Sequence, residues 1–230
     1  MSQHILPGQP PITVALRRSA RARKLSLRVS RLDGRVTLTL PRGVPDREGL
    51  SFLQSREGWL RGHLATVGAD IRPVLGGTLL FAGVAVPIVA GQVKRLTYRD
   101  NSFILPEDPT RVGPRLQAFL KIQARDQLAA ASDHYARLLG RPYGSLTLRD
   151  TRSRWGSCSA KGDLMYSWRL IMAPPEVLHY VAAHEVAHLA EMNHSARFWA
   201  VVDRLFGPHQ PCRRWLRDHG ESLHRVKFTD

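Results

Sequence analysis

The stretch of sequence that decides the fold is His184-Glu185-Val186-Ala187-His188, which has the pattern H-E-x-x-H. Pro174-Pro175 precedes it, and apolar residues resume at Val177, which predicts a helix that opens at the prolines. Histidines at positions i and i+4 lie on one face of a helix, close enough to bind one metal ion. The pattern therefore predicts a metal site on a helix.

Glu185, next to the first histidine, indicates what such a site would do. Zinc suits imidazole ligands and lowers the pKa of a water molecule that it holds. A carboxylate beside the first ligand can reach that water rather than the metal, so Glu185 would take its proton and pass it to the leaving group. The motif therefore favours a zinc-dependent hydrolase with Glu185 as general acid/base.

A third ligand is expected at His194, six residues after His188. Three protein ligands and one open position are typical of catalytic zinc. The chain must fold back after the helix, and we expect Asn193 to allow this through a left-handed backbone. Glu191 is the competing ligand, but it would lie roughly 10 Å from His184 along the helix axis. We therefore expect Glu191 to support a ligand instead.

Incidental placement of these histidines is the alternative to a metal site. A single helical histidine is usually a surface residue or a satisfied core residue. However, His184 and His188 continue a helix face with Val177 and Val181. Without a metal, two imidazoles on that face would be buried and would need other partners. The pattern therefore favours the metal site.

Composition sets broad limits on the class of protein. The 230 residues are 43% hydrophobic and 23% charged, which excludes wholesale disorder and collagen-like or coiled-coil designs. The two cysteines are too few for a disulfide framework, and the first residues show no secretory signal, so we expect a cytoplasmic protein. Residues 74–91 carry no charge, but their glycines and Pro87 favour two strands folded at Ala82-Gly83 over a membrane span.

The net charge of +15 would attract a polyanion such as nucleic acid. Seven cations cluster near the N-terminus: Arg17, Arg18, Arg21, Arg23, Lys24, Arg28 and Arg31. They could follow phosphates, or they could simply cover the solvent face of two strands. No aromatic residues alternate with them, which disfavours sequence-specific RNA recognition.

Residues 1–106 are predicted to form a β-rich N-terminal region with one helix. Alternating strands are expected at 12–16, 25–29, 36–40, 95–98 and 103–105. A hairpin turn is predicted at Leu32-Asp33-Gly34-Arg35. Asp46 is expected to cap a helix that runs to about Ala65.

Residues 107–230 are predicted to form a second, mainly helical domain with a small sheet. A long helix is expected from about Arg115 to Leu139, ended by Gly140. Strands are predicted at 146–149 and 164–168, followed by the helix that carries the H-E-x-x-H pattern. The fold class is therefore expected to be α+β.

Several short motifs occur in order around this helix. They are Arg154-Trp155-Gly156-Ser157-Cys158, Trp168-Arg169-Leu170-Ile171, Ala173-Pro174-Pro175, Tyr180-Val181, Asn193-His194-Ser195 and Phe198-Trp199. Together with the H-E-x-x-H pattern, they resemble the YgjP-like metallopeptidases, a zinc-dependent family related to the SprT-like and WLM peptidases. The resemblance implies a compact zincin-like domain, zinc ligands at His184, His188 and His194, and Glu185 as the catalytic acid/base. Glu191 stands where metzincins have glycine, which counts against a metzincin turn.

The roles of the other motif residues are less sharply defined by the sequence. We expect Cys158 to pack beneath the site, Gly156 to allow a close backbone approach, and Ser195 to cap the next helix. Phe198 and Trp199 are expected in the core. Four residues stay open as the group that stabilises an oxyanion: Arg154, Tyr166, Tyr180 and His209.

The sequence thus favours a zinc-dependent peptidase that acts on peptide or protein substrates and has no membrane partner. An edge strand near Leu164–Ser167 could align an extended peptide. Two alternatives stay open. One is a metal-dependent hydrolase of nucleoside triphosphates, and the other is a non-catalytic nucleic-acid-binding module with structural zinc.

Overall fold

The computed structural model describes residues 2–30, 34–65 and 68–229. It divides into two compact units, Met1–Ala69 and Asp70–Asp230. The sequence prediction placed the boundary between 106 and 107, later than the division in the structure. The difference arises because the strands between residues 78 and 105 share a hydrophobic core with the long helix that follows them.

The first unit contains one four-stranded sheet and two helices. Its strands are β1 (Ser2–Leu6), β2 (Ile12–Ser19), β3 (Ser26–Val29) and β4 (Val36–Pro41), in the order β1-β2-β4-β3. The three strands predicted here are confirmed, and β1 is an addition. The antiparallel pairing of β3 with β4 agrees with the predicted hairpin, although Leu32 and Asp33 of its turn lie outside the described residues.

The prediction of one helix capped by Asp46 is wrong. The structure has α1 (Asp46–Ser55) and α2 (Glu57–Ala65), separated at Arg56, whose φ of −108° and ψ of 8° are not helical. Pro45 occupies the N-cap and makes no side-chain cap. The Asp46 carboxylate instead accepts a 2.6 Å hydrogen bond from Arg18, so this ion pair takes the oxygen that a cap would need.

The second unit begins with another four-stranded sheet. Its strands are β5 (Thr78–Phe81), β6 (Val84–Ala90), β7 (Thr97–Arg99) and β8 (Ser102–Leu105), in the order β5-β6-β8-β7. The uncharged stretch forms the β5–β6 hairpin as predicted, with positive φ at both Ala82 (49°) and Gly83 (79°). Within the described residues, every helix is too short or too polar to cross a bilayer.

The α-helices of this unit are α3 (Val112–Leu139), α4 (Pro175–Ala187), α5 (Ala196–Phe206) and α6 (Gln210–Arg225). The H-E-x-x-H segment lies at the C-terminal end of α4. Gly140 ends α3 with a φ of 72°, as predicted. Helix α4 opens at Pro175 and packs against α3, α5 and α6. Because it is covered on most sides, apolar residues occur around most of its circumference.

A small three-stranded sheet lies beside α4. It consists of β9 (Leu146–Arg149), β10 (Gly156–Cys158) and β11 (Leu164–Ser167), in the order β10-β11-β9. The prediction of an edge strand at Leu164–Ser167 is wrong, because β11 pairs on both sides. The edge nearest α4 is β10, which the sequence left inside a loop, since three residues are too few to show alternation.

A buried arginine fixes the loop that leads into β10. The guanidinium of Arg169 donates to both carboxylate oxygens of Asp150, at 2.6 and 3.0 Å. It also donates to the carbonyl oxygens of Leu223 and Val226, at 2.7 and 3.0 Å. Only 7% of Arg169 is exposed. Arg169 therefore joins Asp150, the residue after β9, to the C-terminal segment. These contacts explain the arginine in the Trp168-Arg169 motif.

The β5–β6 turn supports the start of α4, which gives a test of the fold. A Cβ added at Gly83 would lie 2.9 Å from Pro174 atoms, whereas one at Gly76, also at positive φ (81°), would meet nothing within 4 Å. Gly83→Ala is expected to lower the free energy of unfolding by about 1–3 kcal/mol more than Gly76→Ala, because both share the backbone cost and only one overlaps Pro174. Urea denaturation measures the free energy of unfolding of both variants. Equal losses of free energy would contradict the contact between Gly83 and Pro174.

Candidate metal centre

Three imidazole rings converge at the C-terminal end of α4. The possible ligand atoms of His184, His188 and His194 all lie within 4.8 Å of one another. The ring centroids form a nearly equilateral triangle with sides of 5.1, 5.0 and 4.9 Å. Within the described part of the chain, neither Glu191 nor Cys158 joins this group. The geometry therefore brings together the three histidines expected from the sequence.

The third histidine reaches the group because the chain reverses after α4. His188 is the C-cap of the helix, and short turns follow it before α5 begins at Ala196. Ser195 caps α5 as predicted, since its hydroxyl accepts a hydrogen bond from the backbone N–H of Phe198. The left-handed backbone expected at Asn193 is wrong, because its φ is not positive.

Phe198 fills the space behind all three imidazoles. Its ring centroid lies 4.9 Å from that of His184, 4.5 Å from that of His188 and 4.7 Å from that of His194. Phe198 is fully buried, as predicted for a core residue. Because it touches every ring of the group, it also fixes how far the three side chains can move.

Hydrogen bonds orient two of the rings. The Nδ1 atom of His188 lies 3.0 Å from the carbonyl oxygen of Glu191, which leaves Nε2 free to bind a metal. Glu191 thus supports a candidate ligand, but through its backbone and not through its carboxylate. The Nε2 atoms of His184 and His194 lie 3.0 Å apart. Two tetrahedral ligands of one zinc ion would be about 3.3 Å apart, given bonds of about 2.0 Å.

The surroundings keep the buried rings neutral. Burial, followed by the neighbouring His188 and His194, lowers the pKa of His184 to about 3. Burial also lowers the pKa of His188, against the opposing effect of the Glu191 carbonyl. The Nδ1 atom of His184 is buried without a hydrogen-bond partner. A neutral imidazole offers the lone pair that a metal requires.

The Glu185 side chain reaches from α4 to Gly156 at the start of β10. A Cβ added at Gly156 would lie 2.5 Å from Oε1 of Glu185 and 2.6 Å from its Cγ. The close backbone approach expected at Gly156 is therefore an approach to Glu185 itself. Only glycine leaves room for the carboxylate at this place on the edge strand.

The Glu185 carboxyl is in an unusual electrostatic setting. It is 5% exposed, and burial raises its pKa to about 8, against the opposing charge of Arg154. A group with a pKa near neutrality can both accept and release a proton there. Burial and the nearby Glu185 raise the pKa of the Cys158 thiol to about 11, so this half-buried cysteine is a neutral packing residue.

The four residues left open as oxyanion donors lie in different surroundings. Tyr166 is fully buried, and its hydroxyl lies 3.0 Å from that of Ser132, so it is committed to the core. Arg154 is exposed near Glu185. Tyr180 and His209 have nearly parallel rings 5.8 Å apart, and the Tyr180 ring lies 5.9 Å from that of His184.

An aromatic array beside the histidines was not foreseen from the sequence. Trp199 lies 5.8 Å from His194 and 4.9 Å from His209, with near-parallel rings in the second pair. Asp203 holds His209 through a 2.9 Å contact between its carboxylate and Nδ1, and the Arg213 guanidinium lies 5.2 Å over the Trp199 ring. Trp199 and Asp203 are four residues apart on α5, and His209 and Arg213 are four residues apart at the start of α6. Helical spacing could therefore have joined each pair, but the contacts between the two pairs join different helices and had no sequence signal.

Comparison with known proteins defines the class. The chain matches the family model described as "YgjP-like, metallopeptidase domain" over residues 23–219. It belongs to this metallopeptidase family, which confirms the resemblance seen in the motifs and implies a metal. Among solved structures, the "metallopeptidase zymogen of Pyrococcus abyssi abylysin" is 24% identical, with a TM-score of 0.35, over 45% of this chain and 97% of that one. No curated protein matches the chain.

The contact between Gly156 and Glu185 can be tested by a double-mutant cycle. We expect Gly156→Ala to lower the free energy of unfolding by about 1–3 kcal/mol, because the new methyl group overlaps the carboxylate. In a Glu185→Ala background, the same change is expected to cost much less, since the atoms it overlaps are gone. Gly62→Ala, on α2 with nothing within 4 Å, is the control. An equal cost for Gly156→Ala in both backgrounds would show that Glu185 lies elsewhere.

Proposed function

We propose that the chain is a zinc-dependent peptidase in which His184, His188 and His194 hold the metal and Glu185 is the general acid/base. The observation that carries this proposal is the triangle of imidazoles with a buried carboxyl on the next residue of α4. Substrates are peptides or proteins. A cytoplasmic location stays a prediction from the sequence.

The donor set fits zinc. Three imidazoles converge on one point, and the His188 ring is oriented by a backbone carbonyl. Such nitrogen ligands suit zinc, although they would also accept other transition metals. Without a metal, the Nε2 atom of His184 lies 3.0 Å from that of His194, so two ring nitrogens are directed at each other. A cation would compensate this arrangement.

Glu185 supplies the proton transfers. When bound, the metal would act as a Lewis acid that polarises the substrate carbonyl and lowers the pKa of water. The Glu185 carboxylate would accept the proton of the attacking water and donate it to the nitrogen of the leaving amine. Its buried position beside Gly156 limits competing hydration, and its raised pKa suits a group that must cycle between both protonation states.

Strand β10 is our candidate for aligning the substrate. It is a sheet edge, and Gly156 at its start lies against Glu185. An extended peptide can add to such an edge through backbone hydrogen bonds. This would place a scissile peptide bond beside the carboxyl. A nucleotide has no backbone that could use the edge, so β10 favours the peptidase over the triphosphate hydrolase.

The number of ligands argues against a purely structural zinc. Structural zinc sites are closed by four protein ligands, whereas catalytic sites keep one position open. Three candidate ligands gather here within the described residues. The geometry therefore supports hydrolysis over a non-catalytic binding module.

Replacement of Glu185 tests the mechanism. Glu185→Gln is expected to keep one bound metal ion per chain while peptide hydrolysis falls by about 100-fold or more, because the amide cannot accept the proton. His194→Ala is expected to lose metal after dialysis, measured by inductively coupled plasma mass spectrometry. Glu176→Gln, an exposed position on the same helix, is the matched control and should keep full activity.

The same preparations separate the competing functions. Each variant is assayed on a peptide library and on nucleoside triphosphates. Cleavage of peptides that depends on Glu185 supports the peptidase. Normal turnover by Glu185→Gln contradicts the mechanism, and release of phosphate with intact peptides would favour the triphosphate hydrolase.

A further inference from the structure

The sheet of the first unit has two unlike faces. Val14, Val36 and Leu38 lie on the face that packs with leucines of α1 and α2. A Cβ at Gly49 of α1 would touch Leu40 and Leu38, which shows that the helices cover this side. Side chains alternate along a strand, so the intervening residues lie on the opposite side. We call that side the outer face; its residues are Gln3, Ile5, Thr13, Ala15, Arg17, Ser26, Arg28, Thr37 and Thr39.

The register places two arginines on the outer face. Arg17 of β2 is paired with Thr39 of β4, which is paired with Ser26 of β3. Arg28 of β3 is paired with Thr37 of β4, two residues before Thr39. The two arginines are therefore separated by roughly 12 Å, from a strand spacing of about 4.8 Å and a rise of about 3.3 Å per residue. They are far enough apart to meet different phosphates of a nucleic acid.

Among the described residues, these cations have no acidic neighbours on the outer face. Arg17 and Arg28 are exposed and form no ion pair with the described residues. The β2–β3 connection adds three further exposed cations, at Arg21, Arg23 and Lys24. The acidic residues of this unit within the described ranges are Asp46, Glu48 and Glu57, all on the helices. Asp46 and Glu57 are already paired with arginines.

A groove of about 810 Å³ runs across part of the outer face. Gln3, Thr13, Arg17, Arg35 and Thr37 line it, together with apolar residues that include Pro10, Pro11 and Leu64. Hydroxyl and amide groups beside a guanidinium are donors that phosphate oxygens accept. The groove thus combines positive charge with neutral hydrogen-bond donors, which suits a phosphodiester chain better than a single small anion.

We propose that the outer face binds the phosphate backbone of duplex nucleic acid. Proteins that hold single strands stack bases on aromatic side chains, and the outer face has none among its described residues. Surfaces that bind anionic lipid also insert apolar side chains, and Ile5 is the one large apolar residue that the described part of this face exposes. Binding is therefore electrostatic and independent of sequence. It is a second activity of the chain and does not depend on the proposed peptidase.

The test measures binding of the full chain to a fluorescein-labelled 25-base-pair DNA duplex by anisotropy, at salt concentrations from 50 to 200 mM. We expect tight binding that weakens steeply with salt. Arg17→Ala with Arg28→Ala removes two phosphate contacts, so the slope of log affinity against log salt should fall by about 1.8. Between 50 and 200 mM salt, the unsubstituted chain should therefore lose about tenfold more affinity than this double variant. Arg17→Lys with Arg28→Lys should keep most of the slope.

Arg47→Ala with Arg56→Ala is the matched control, because it removes the same charge from α1 and its C-cap. This control should keep the slope of the unsubstituted chain. Equal losses in both double variants would overturn the proposal, since net charge and not the outer face would then carry the binding. Absence of binding to the duplex, or binding to phosphatidylserine vesicles or single-stranded DNA alone, would overturn it as well. Peptide hydrolysis, measured in parallel, reports on the proposed peptidase separately.

Discussion

The contact of one phenylalanine ring with three imidazoles holds the candidate site together. A single helix can present two histidines to one metal ion, but the third must come from another element. In this chain His194 precedes α5, and Phe198, one turn into that helix, packs against His184, His188 and His194 at 4.5–4.9 Å. The packing of α5 on α4 therefore sets the size of the triangle. A loss of this packing would separate the third histidine from the other two.

A second constraint places Glu185. The carboxyl is buried at a site where desolvation disfavours its charge, and such a position is stable only if the surroundings fit it closely. Gly156 provides that fit from the edge strand, and the Arg169–Asp150 pair anchors the loop before it. Residues far apart in the sequence thus hold the Glu185 carboxyl in place. Its pKa is raised to about 8, and it belongs to the residue that follows His184.

The sequence was sufficient for much of this arrangement, for specific physical reasons. Helical spacing predicted the pairing of His184 with His188, and Pro175 and Gly140 marked the ends of helices because their backbone preferences are strong. Gly156 was recognised as a close approach, but its partner was not, because that contact joins a strand to a helix. Strand β10 was missed because it has three residues, and the cap expected from Asp46 is absent because Arg18 takes its carboxylate.

Zinc-edge anomalous diffraction from crystals of the metal-loaded chain is the most direct test of the central claim. The account predicts one anomalous peak per chain, about 2.0–2.1 Å from one nitrogen each of His184, His188 and His194, with Glu185 outside bonding distance. A peak bound by only two of these histidines, or one held by Glu191 or Cys158, would contradict it.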